Sequence, residues 1–249
     1  MDKEEIEKTK KAGEIHAKAC VFARGLIKKD MKLLDIAEKI ESEVARLGGK
    51  CAFPVNLSIN EIAAHATPAW NDEGKAGGLL KVDIGVHVDG YVADGAFTID
   101  MENNEENKIL IKCAEEGLKK GTDILEFGVK LGEVGKKIEE EVKKSGFVTI
   151  RNLTGHKIDR YVLHAGVNVP NYDSGQEQEI EEGVYAVEPF TTNGLGRVRD
   201  GRASGIYKLQ GDGSVRDGFA REVLKFLDEE YEGLPFCSRW VVKIGRAHV

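Results

Sequence analysis

The sequence contains few cysteines and no long apolar run, and these two absences exclude several classes of protein. Only 4 of the 249 residues are cysteines, and no two of them form a Cys-x-x-Cys pair. Neither a zinc ribbon nor a disulfide framework is predicted, and we expect free thiols. No apolar stretch could span a bilayer, and the N-terminus is charged where a signal peptide would become apolar. The cysteines are Cys20, Cys51, Cys113 and Cys237.

The net charge and the hydrophobic content exclude further classes of protein and limit the number of domains. A net charge of -7 argues against a protein devoted to nucleic acid or to anionic membranes. With neither a signal peptide nor a membrane segment, the predicted location is the cytoplasm. A hydrophobic content of 41% is enough for a sizeable core in one large domain or two small ones.

The same order of predicted elements occurs twice along the chain. Apolar residues at helical spacing predict a pair of helices before each of two sets of strands. The predicted helices are 2–29, 33–48, 104–119 and 126–145. Because the strands form antiparallel hairpins instead of βαβ crossovers, the order predicts an α+β fold. Helices would cover one face of a curved sheet, and the other face would carry the chemistry.

The most informative segment is the predicted β-hairpin at residues 81–99. Its turn is Asp89-Gly90, a typical pair for a two-residue turn because both central positions need a positive φ. Alternating apolar runs flank the turn on both sides. We therefore expect Val88 to pair with Tyr91, which fixes the register of the whole hairpin.

In that register, Asp83 and Asp94 lie on the same face as diagonal neighbours, with Cβ atoms about 7–8 Å apart. The residues opposite them, Ala96 and Gly85, are small and would leave room on that face. A carboxylate pair facing a roomy pocket suits divalent cations. The same alternation is also typical of a strand with one solvated face, so the hairpin alone leaves both interpretations open.

Three further candidates lie in the second half of the sequence: His156, His164 and Glu188. Glu188 ends an apolar strand, where a carboxylate is costly to bury unless it is paired, protonated or bound to a cation. Each residue taken singly is more often a satisfied polar group. Combined with the two aspartates, they form the oxygen-rich ligand set expected of metallohydrolases that use Mn, Co, Fe or Zn.

Taken together, six segments resemble the methionine aminopeptidase family, and they occur in the same order from near the N-terminus to about Trp240. The segment 219–240, with Leu-Pro-Phe-Cys-Ser-Arg-Trp, resembles the helical insertion of the type II branch, and the chain is most similar to archaeal members. The six segments are Ala-Phe-Pro-Val-Asn-Leu-Ser-Ile-Asn-Glu-Ile-Ala-Ala-His (52–65), Lys-Val-Asp-Ile-Gly (81–85), Val-Ala-Asp-Gly-Ala (92–96), Gly-His (155–156), Leu-His-Ala-Gly (163–166) and Val-Glu-Pro-Phe (187–190).

The resemblance implies the pita-bread fold and removal of the initiator methionine from nascent polypeptides whose second residue is small. It implies two divalent metal ions, Co, Mn, Fe or Zn. Asp83 would chelate one metal and Asp94 would bridge both, while His156 and Glu188 would bind the other. Glu188 would also take a proton from the metal-activated water.

The resemblance also assigns substrate contacts. His65 and His164 would contact the scissile amide and steady the tetrahedral intermediate, and Phe53 would line the methionine pocket. The protein is expected to act as a monomer, with a possible contact to the ribosome.

The chain departs from the family pattern after Trp240. The family's closing strand carries Gln-Phe-Glu-His, whose Glu is a fifth protein ligand, and no such motif occurs here. We therefore expect an incomplete pita-bread catalytic domain at 1–196 and the start of the type II insertion at 197–243. Residues 244–249 match the translation of a common sequencing adapter and are predicted to be a non-native tail, so His248 is not counted as a ligand. Such a chain would be weak or inactive on its own.

Three alternatives remain open on the sequence. A related pita-bread peptidase would use the same metals on Xaa-Pro substrates. A non-catalytic relative would keep the fold and bind ribosomes or RNA, but it would be expected to lose the ligands that this chain retains. The chain could also be a fragment with no function of its own.

Overall fold

The computed structural model describes residues 1–211 and 215–247, with side chains as far as Val242. Its first half consists of α1 (Lys3–Leu26), α2 (Leu33–Arg46), β1 (Lys50–Ile59), β2 (Leu79–Val88) and β3 (Tyr91–Asp100). The second half begins with α3 (Glu105–Thr122) and α4 (Leu131–Lys144) and continues with β4 (Val148–Thr149), β5 (Gly155–Ile158), β6 (Asn168–Val169), β7 (Val184–Ala186) and β8 (Thr191–Thr192). The last elements are β9 (Ile206–Tyr207), α5 (Gly218–Tyr231), β10 (Phe236–Cys237) and α6 (Ser238–Ala247). The predicted repetition of helix, helix and strands is confirmed.

The strands form antiparallel sheets, as predicted. The first half contains a sheet of order β1-β2-β3, and the second half contains a sheet of order β6-β5-β7 and the pair β4-β8. In the β2-β3 hairpin Val88 pairs with Tyr91, and the turn residues Asp89 and Gly90 have φ values of 50° and 85°. The predicted register of the hairpin is therefore confirmed.

Helices α1 and α2 cover one face of the first sheet. The inward residues of β2, Val82, Ile84 and Val86, are fully buried in the same core cluster as residues of both helices. Burying each such side chain contributes roughly 1.5–3 kcal/mol relative to leaving it exposed. The helix residues of this cluster include Ile15, Ala19, Ala23, Ile36, Ile40 and Val44. The opposite face of the hairpin is left for the polar residues.

The apolar stripe of α1 differs from the predicted one at both ends. Helical spacing in the sequence predicts Ile6 and Phe22 on the buried face, but they are 38% and 36% exposed, and Ala23 is buried instead. Ile6 lies six positions before Ala12. At 3.6 residues per turn, this places the Ile6 side chain about 120° away from Ala12 around the helix axis. The spacing of the buried residues, not their size, decides which ones face the sheet.

Two predicted boundaries are wrong for backbone reasons. The fourth helix begins at Leu131 and not at 126, because Gly128 has a φ of 82° that a right-handed helix cannot contain. The sequence from Cys51 predicts a short strand followed by an irregular stretch, but β1 is ten residues long and has register shifts on either side of Phe53. The second shift spans Pro54, which has no N–H to donate to the neighbouring strand.

The sequence of 197–218 is rich in Gly, Arg and Asp and predicts a loop or a short polar hairpin, but the segment contributes β9, which pairs with β10 and not with a strand of its own. An amphipathic helix is predicted after it, and in α5 that apolar face is only partly buried, since Leu227 is buried but Phe219 is 76% exposed. All four cysteines are free thiols, as expected. Among the described residues, no helix is long and apolar enough to cross a membrane. His248 lies outside the described residues.

Candidate metal centre

The β2-β3 hairpin presents Asp83 and Asp94 on the face that points away from α1 and α2. Asp83 pairs with Ala96 and Asp94 with Gly85, as the register predicts. The expected empty space beside Gly85 is filled, because a Cβ atom added there would lie 2.3 Å from the ring of Phe53. Glycine at 85 therefore lets an aromatic ring from β1 pack directly on the backbone beside Asp94.

The second half of the chain brings two more candidate ligands to this face. His156 lies in β5 and pairs with Ala186 of β7, and Glu188 follows β7 by two residues. The Nε2 atom of His156 lies 3.1 Å from Oε1 of Glu188 and 3.5 Å from Oδ2 of Asp94. Ligand atoms of Asp94, His156 and Glu188 all lie within 4.8 Å of one another. Two halves that are remote in sequence thus meet at one three-residue cluster.

Asp83 lies beside this cluster and interacts with it electrostatically. Burial, followed by the charges of Asp94 and Glu188, raises the pKa of Asp83 well above its ordinary value. Burial also raises the pKa of Glu188. Burial alone would lower the pKa of His156, but Asp94 and Glu188 raise it to about 10. Without a metal, the cluster therefore retains at least one proton at neutral pH.

Buried polar atoms without partners show that these residues suit a cation. Oε1 of Glu188 and Nδ1 of His156 are buried and have no hydrogen-bond partner with suitable geometry among the described residues. Leaving such atoms unsatisfied is costly, and a cation next to a carboxylate oxygen removes that cost. Two or three carboxylates and one imidazole form the kind of donor set that binds Mn, Fe, Co or Zn. The residues present therefore fit a divalent metal ion.

Sequence reasoning missed Asn56, which lies in β1 directly opposite Asp83. It is 3% exposed, and its Nδ2 donates a hydrogen bond of 3.4 Å to Oδ2 of Asp83. An amide at this place orients a carboxylate and leaves its other oxygen free for a cation. The sequence contained one signal for this role, a polar residue inside an apolar run, three residues after Phe53.

The two remaining predicted histidines lie at the edge of the cluster and are exposed to solvent. The ring of His164 packs edge-on against that of His156, with centroids 4.2 Å apart. Loss of hydration on the packed side, together with the charge of His156, lowers the pKa of His164 to about 4. His65 has a φ of 60° and lies near enough to influence both His164 and Glu188 electrostatically. His65 and His164 therefore flank the same cleft.

Phe53 belongs to an apolar cluster next to the candidate metal ligands. The residue is 5% exposed, and the cluster draws its members from both halves and from the segment after α5. Its buried members are Ala52, Phe53, Val92, Ile158, Leu163, Ala186 and Leu234. An apolar surface thus borders the polar cluster, as a site for an apolar side chain requires.

Comparisons with known proteins agree with this geometry. Residues 7–217 match the model of metallopeptidase family M24. The chain is 47% identical over 242 residues to the methionine aminopeptidase of Thermococcus onnurineus, covering 96% of this chain and 81% of that protein. The crystal structure of methionine aminopeptidase from Thermotoga maritima has a TM-score of 0.73 at 31% identity, with 80% of this chain and 84% of that chain covered.

A more distant likeness concerns the fold alone. Prolidase from Pyrococcus furiosus has a TM-score of 0.64 at 23% identity, and the match covers 76% of this chain and 56% of that chain. The pita-bread fold is therefore shared with a prolidase, whereas the sequence identity is higher to the methionine aminopeptidases of Thermococcus onnurineus and Thermotoga maritima. The chain belongs to metallopeptidase family M24, and within it to the methionine aminopeptidases.

Proposed function

We propose that this protein is a metal-dependent methionyl aminopeptidase that removes the initiator methionine from nascent chains with a small second residue. The observation that carries the proposal is the convergence of Asp94 from the first half with His156 and Glu188 from the second half. In the part of the chain that the structure describes, nothing in the packing of the core requires two half-buried acids and a buried histidine at this place. Family membership supplies the reaction class.

We propose two divalent metal ions, with Asp83 and Asp94 on one and Asp94, His156 and Glu188 on the other. A pair of such cations would lower the pKa of a shared water and polarise the scissile carbonyl. Asn56 would orient Asp83 through its amide. Mn, Co, Fe and Zn all suit this ligand set, and the affinity of the protein for each metal distinguishes them.

The remaining residues bind the substrate and move protons. Glu188, as a carboxylate beside the metal-activated water, would accept a proton from it and release that proton to the leaving amine. His164, with its lowered pKa, is uncharged at neutral pH and can exchange a hydrogen bond with the scissile amide. His65 would contact that amide from the other side of the cleft. Phe53 would form part of the methionine pocket, which supplies only modest discrimination per methylene.

The proposed substrate also suggests where the protein works. A chain that still carries its initiator methionine is found where translation occurs, so we place the reaction in the cytoplasm. A contact with the ribosome would bring the enzyme to this substrate, and a monomer would be sufficient for it. Co-sedimentation with ribosomes at 0.1 M and 0.5 M salt tests this contact, since an electrostatic contact weakens as the salt rises.

The direct test is methionine release from a Met-Ala-Ser peptide with added Mn or Co, compared with hydrolysis of an Xaa-Pro peptide. The assay is run on the 249-residue chain and on a version extended with any natural coding sequence recovered beyond it. The matched variant is Asp94→Asn, which keeps the size of the side chain and removes its charge. Release of methionine that disappears in Asp94→Asn supports the proposal. Hydrolysis of the Xaa-Pro peptide alone would support the prolidase-like alternative, and cleavage of neither peptide would support a non-catalytic role.

A further inference from the structure

Among its described residues, the segment after residue 197 adds no side chain to the candidate metal cluster, but it supplies a charge that is completely buried. Arg239, in the first turn of α6, has a side chain that is 0% exposed. Its Nη1 and Nη2 atoms donate to the two carboxylate oxygens of Glu41 in α2, at 2.5 and 2.9 Å. This is a bidentate pair, the strongest geometry available to an arginine and a carboxylate. A buried pair of this kind is tolerated only when the remaining polar atoms are also satisfied.

Two further N–H groups of Arg239 bind the loop that carries His65. Nε donates to the carbonyl oxygen of Pro68 at 3.1 Å, and Nη2 also donates to Oγ1 of Thr67 at 3.2 Å. The hydroxyl of Thr67 in turn donates to the carbonyl oxygen of Val55 at 2.9 Å. Each contact on the loop falls within three residues of the histidine.

Glu41 closes this network on the side of the sheet. Its Oε1 accepts a hydrogen bond of 3.2 Å from the amide of Val55, and its Oε2 accepts one of 2.9 Å from Nε1 of Trp240. The hydrogen bonds therefore form a ring through Arg239, Glu41, Val55 and Thr67 that joins α6, α2, β1 and the loop. Two residues before Val55 in the same strand is Phe53, in the proposed methionine pocket.

The conformation of His65 explains why the loop needs such support. Its φ of 60° is uncommon for a residue with a Cβ atom and persists only where the surroundings fix the backbone. On its C-terminal side, the carbonyl of Ala66 accepts a hydrogen bond of 2.6 Å from the amide of Leu57 in β1. The next two residues are the ones that Arg239 binds. The side chain of His65 itself is exposed, so its position depends on the backbone that follows it.

We propose that Arg239 is a positioning residue for the aminopeptidase reaction. Through its bidentate anchor on Glu41 it fixes Thr67 and Pro68, and so holds the loop that carries His65. This inference rests on the proposed function for the role of His65 in catalysis, but the hold on the loop can be measured without any activity.

The first test measures amide hydrogen exchange in Arg239→Lys. Lysine keeps the charge but cannot form the planar fork or reach three acceptors at once. The amide of Leu57 reports on the loop because it donates to Ala66, and the amide of Ile84 in β2 serves as an internal reference. We expect exchange at Leu57 to rise at least about tenfold, with Ile84 changing by less than about twofold.

Glu139→Gln is the matched control for the loss of a buried acid. Glu139 is 6% exposed in α4, and its Oε1 accepts a hydrogen bond of 3.0 Å from Nη2 of Arg151, but it binds the second half of the chain instead of the His65 loop. This variant should leave exchange at Leu57 unchanged. Glu41→Gln keeps the size of the side chain that anchors Arg239 and should raise exchange at Leu57 in the same way. It therefore provides the test if Arg239→Lys impairs folding. Unchanged exchange at Leu57 in both Arg239→Lys and Glu41→Gln would overturn the proposal.

The second test asks whether Arg239 acts through His65. We expect Arg239→Lys to lower kcat for methionine release about tenfold, because a small displacement of a substrate-contacting group is enough for such a loss. In a His65→Ala background the same substitution should change kcat by less than about twofold. An equal tenfold fall in both backgrounds would contradict the assignment. If the parent chain releases no methionine, the proposed function fails, while exchange at Leu57 still decides whether Arg239 holds the loop.

Discussion

The contact between β5 and β7 at Gly155 allows a sharp test of how the metal centre is assembled. A Cβ atom added at Gly155 would lie 2.1 Å from the carbonyl oxygen of Ala186 and 3.1 Å from the amide nitrogen of Glu188. Both are backbone atoms, so no side-chain rotation can relieve the contact. In Gly155→Ala the two strands must separate by about 1 Å to reach even a tight contact.

That displacement acts directly on the proposed ligands. His156 follows Gly155, and Glu188 follows Ala186 by two residues. Separating the strands would therefore change the 3.1 Å distance between Nε2 of His156 and Oε1 of Glu188. Metal sites tolerate deviations of only about 0.2 Å in ligand distance. We expect Mn affinity to fall about 10- to 100-fold, as it does when the support of a ligand is lost. Overpacking should also lower the free energy of unfolding by about 1–3 kcal/mol.

Isothermal titration with Mn and denaturant unfolding measure these two quantities on the same samples. Gly13→Ala is the matched control, because a Cβ atom at this position of α1 meets nothing within 4 Å. Alanine there should stabilise the protein by about 0.5–1 kcal/mol and leave Mn affinity unchanged. If Gly155→Ala bound Mn as tightly as the parent, the strand contact would not determine the geometry of the site.

Three further predictions concern the cleft and its surroundings. The pKa of His156 is raised to about 10 in the metal-free protein, so metal binding between pH 6 and 8 should release at least one proton. The metal affinity should therefore increase by about tenfold per pH unit. Calorimetric titration in buffers of different ionisation enthalpy measures both quantities. The protonated His156 stabilises the metal-free cluster in full below about pH 6.5, and this contribution falls as the pH rises further and is gone above about pH 10. His164→Ala should lower kcat by about 100-fold, whereas His16→Ala, on the far side of the hairpin against Gly95, should leave it unchanged. Phe53→Ala should lower the free energy of unfolding by about 3–5 kcal/mol, and Phe127→Ala, at a residue that is 75% exposed, should cost less than about 0.5 kcal/mol in the same denaturation assay.

Local patterns were enough to predict the elements that depend on local chemistry. The Asp89-Gly90 turn fixed the register of β2 and β3, and that register placed Asp83 and Asp94 on one face. The predicted start of the fourth helix was wrong because the backbone conformation of Gly128 is incompatible with a helix, although the apolar pattern continues through it. Strand length failed at β1, because a proline can lie at a bulge without ending the strand.

Contacts between distant parts of the chain could not be predicted from periodicity. The pairing of His156 and Glu188 depends on β5 and β7, which are short and far apart in sequence. Neither the filling of the space at Gly85 by Phe53 nor the buried contact between Arg239 and Glu41 leaves a signal in residue spacing. The resemblance to a known family supplied the ligand set that local reasoning left open, and the geometry then suggested which residues support it.

The most direct measurement of the central claim is anomalous X-ray scattering from crystals of this protein grown with Mn. The account predicts anomalous density bounded by Asp94, His156 and Glu188, with Asp83 at its edge, and no such density in Asp94→Asn crystals prepared in the same way. Density elsewhere on the protein, with these four side chains free of metal, would contradict the assignment of this cluster as the metal centre.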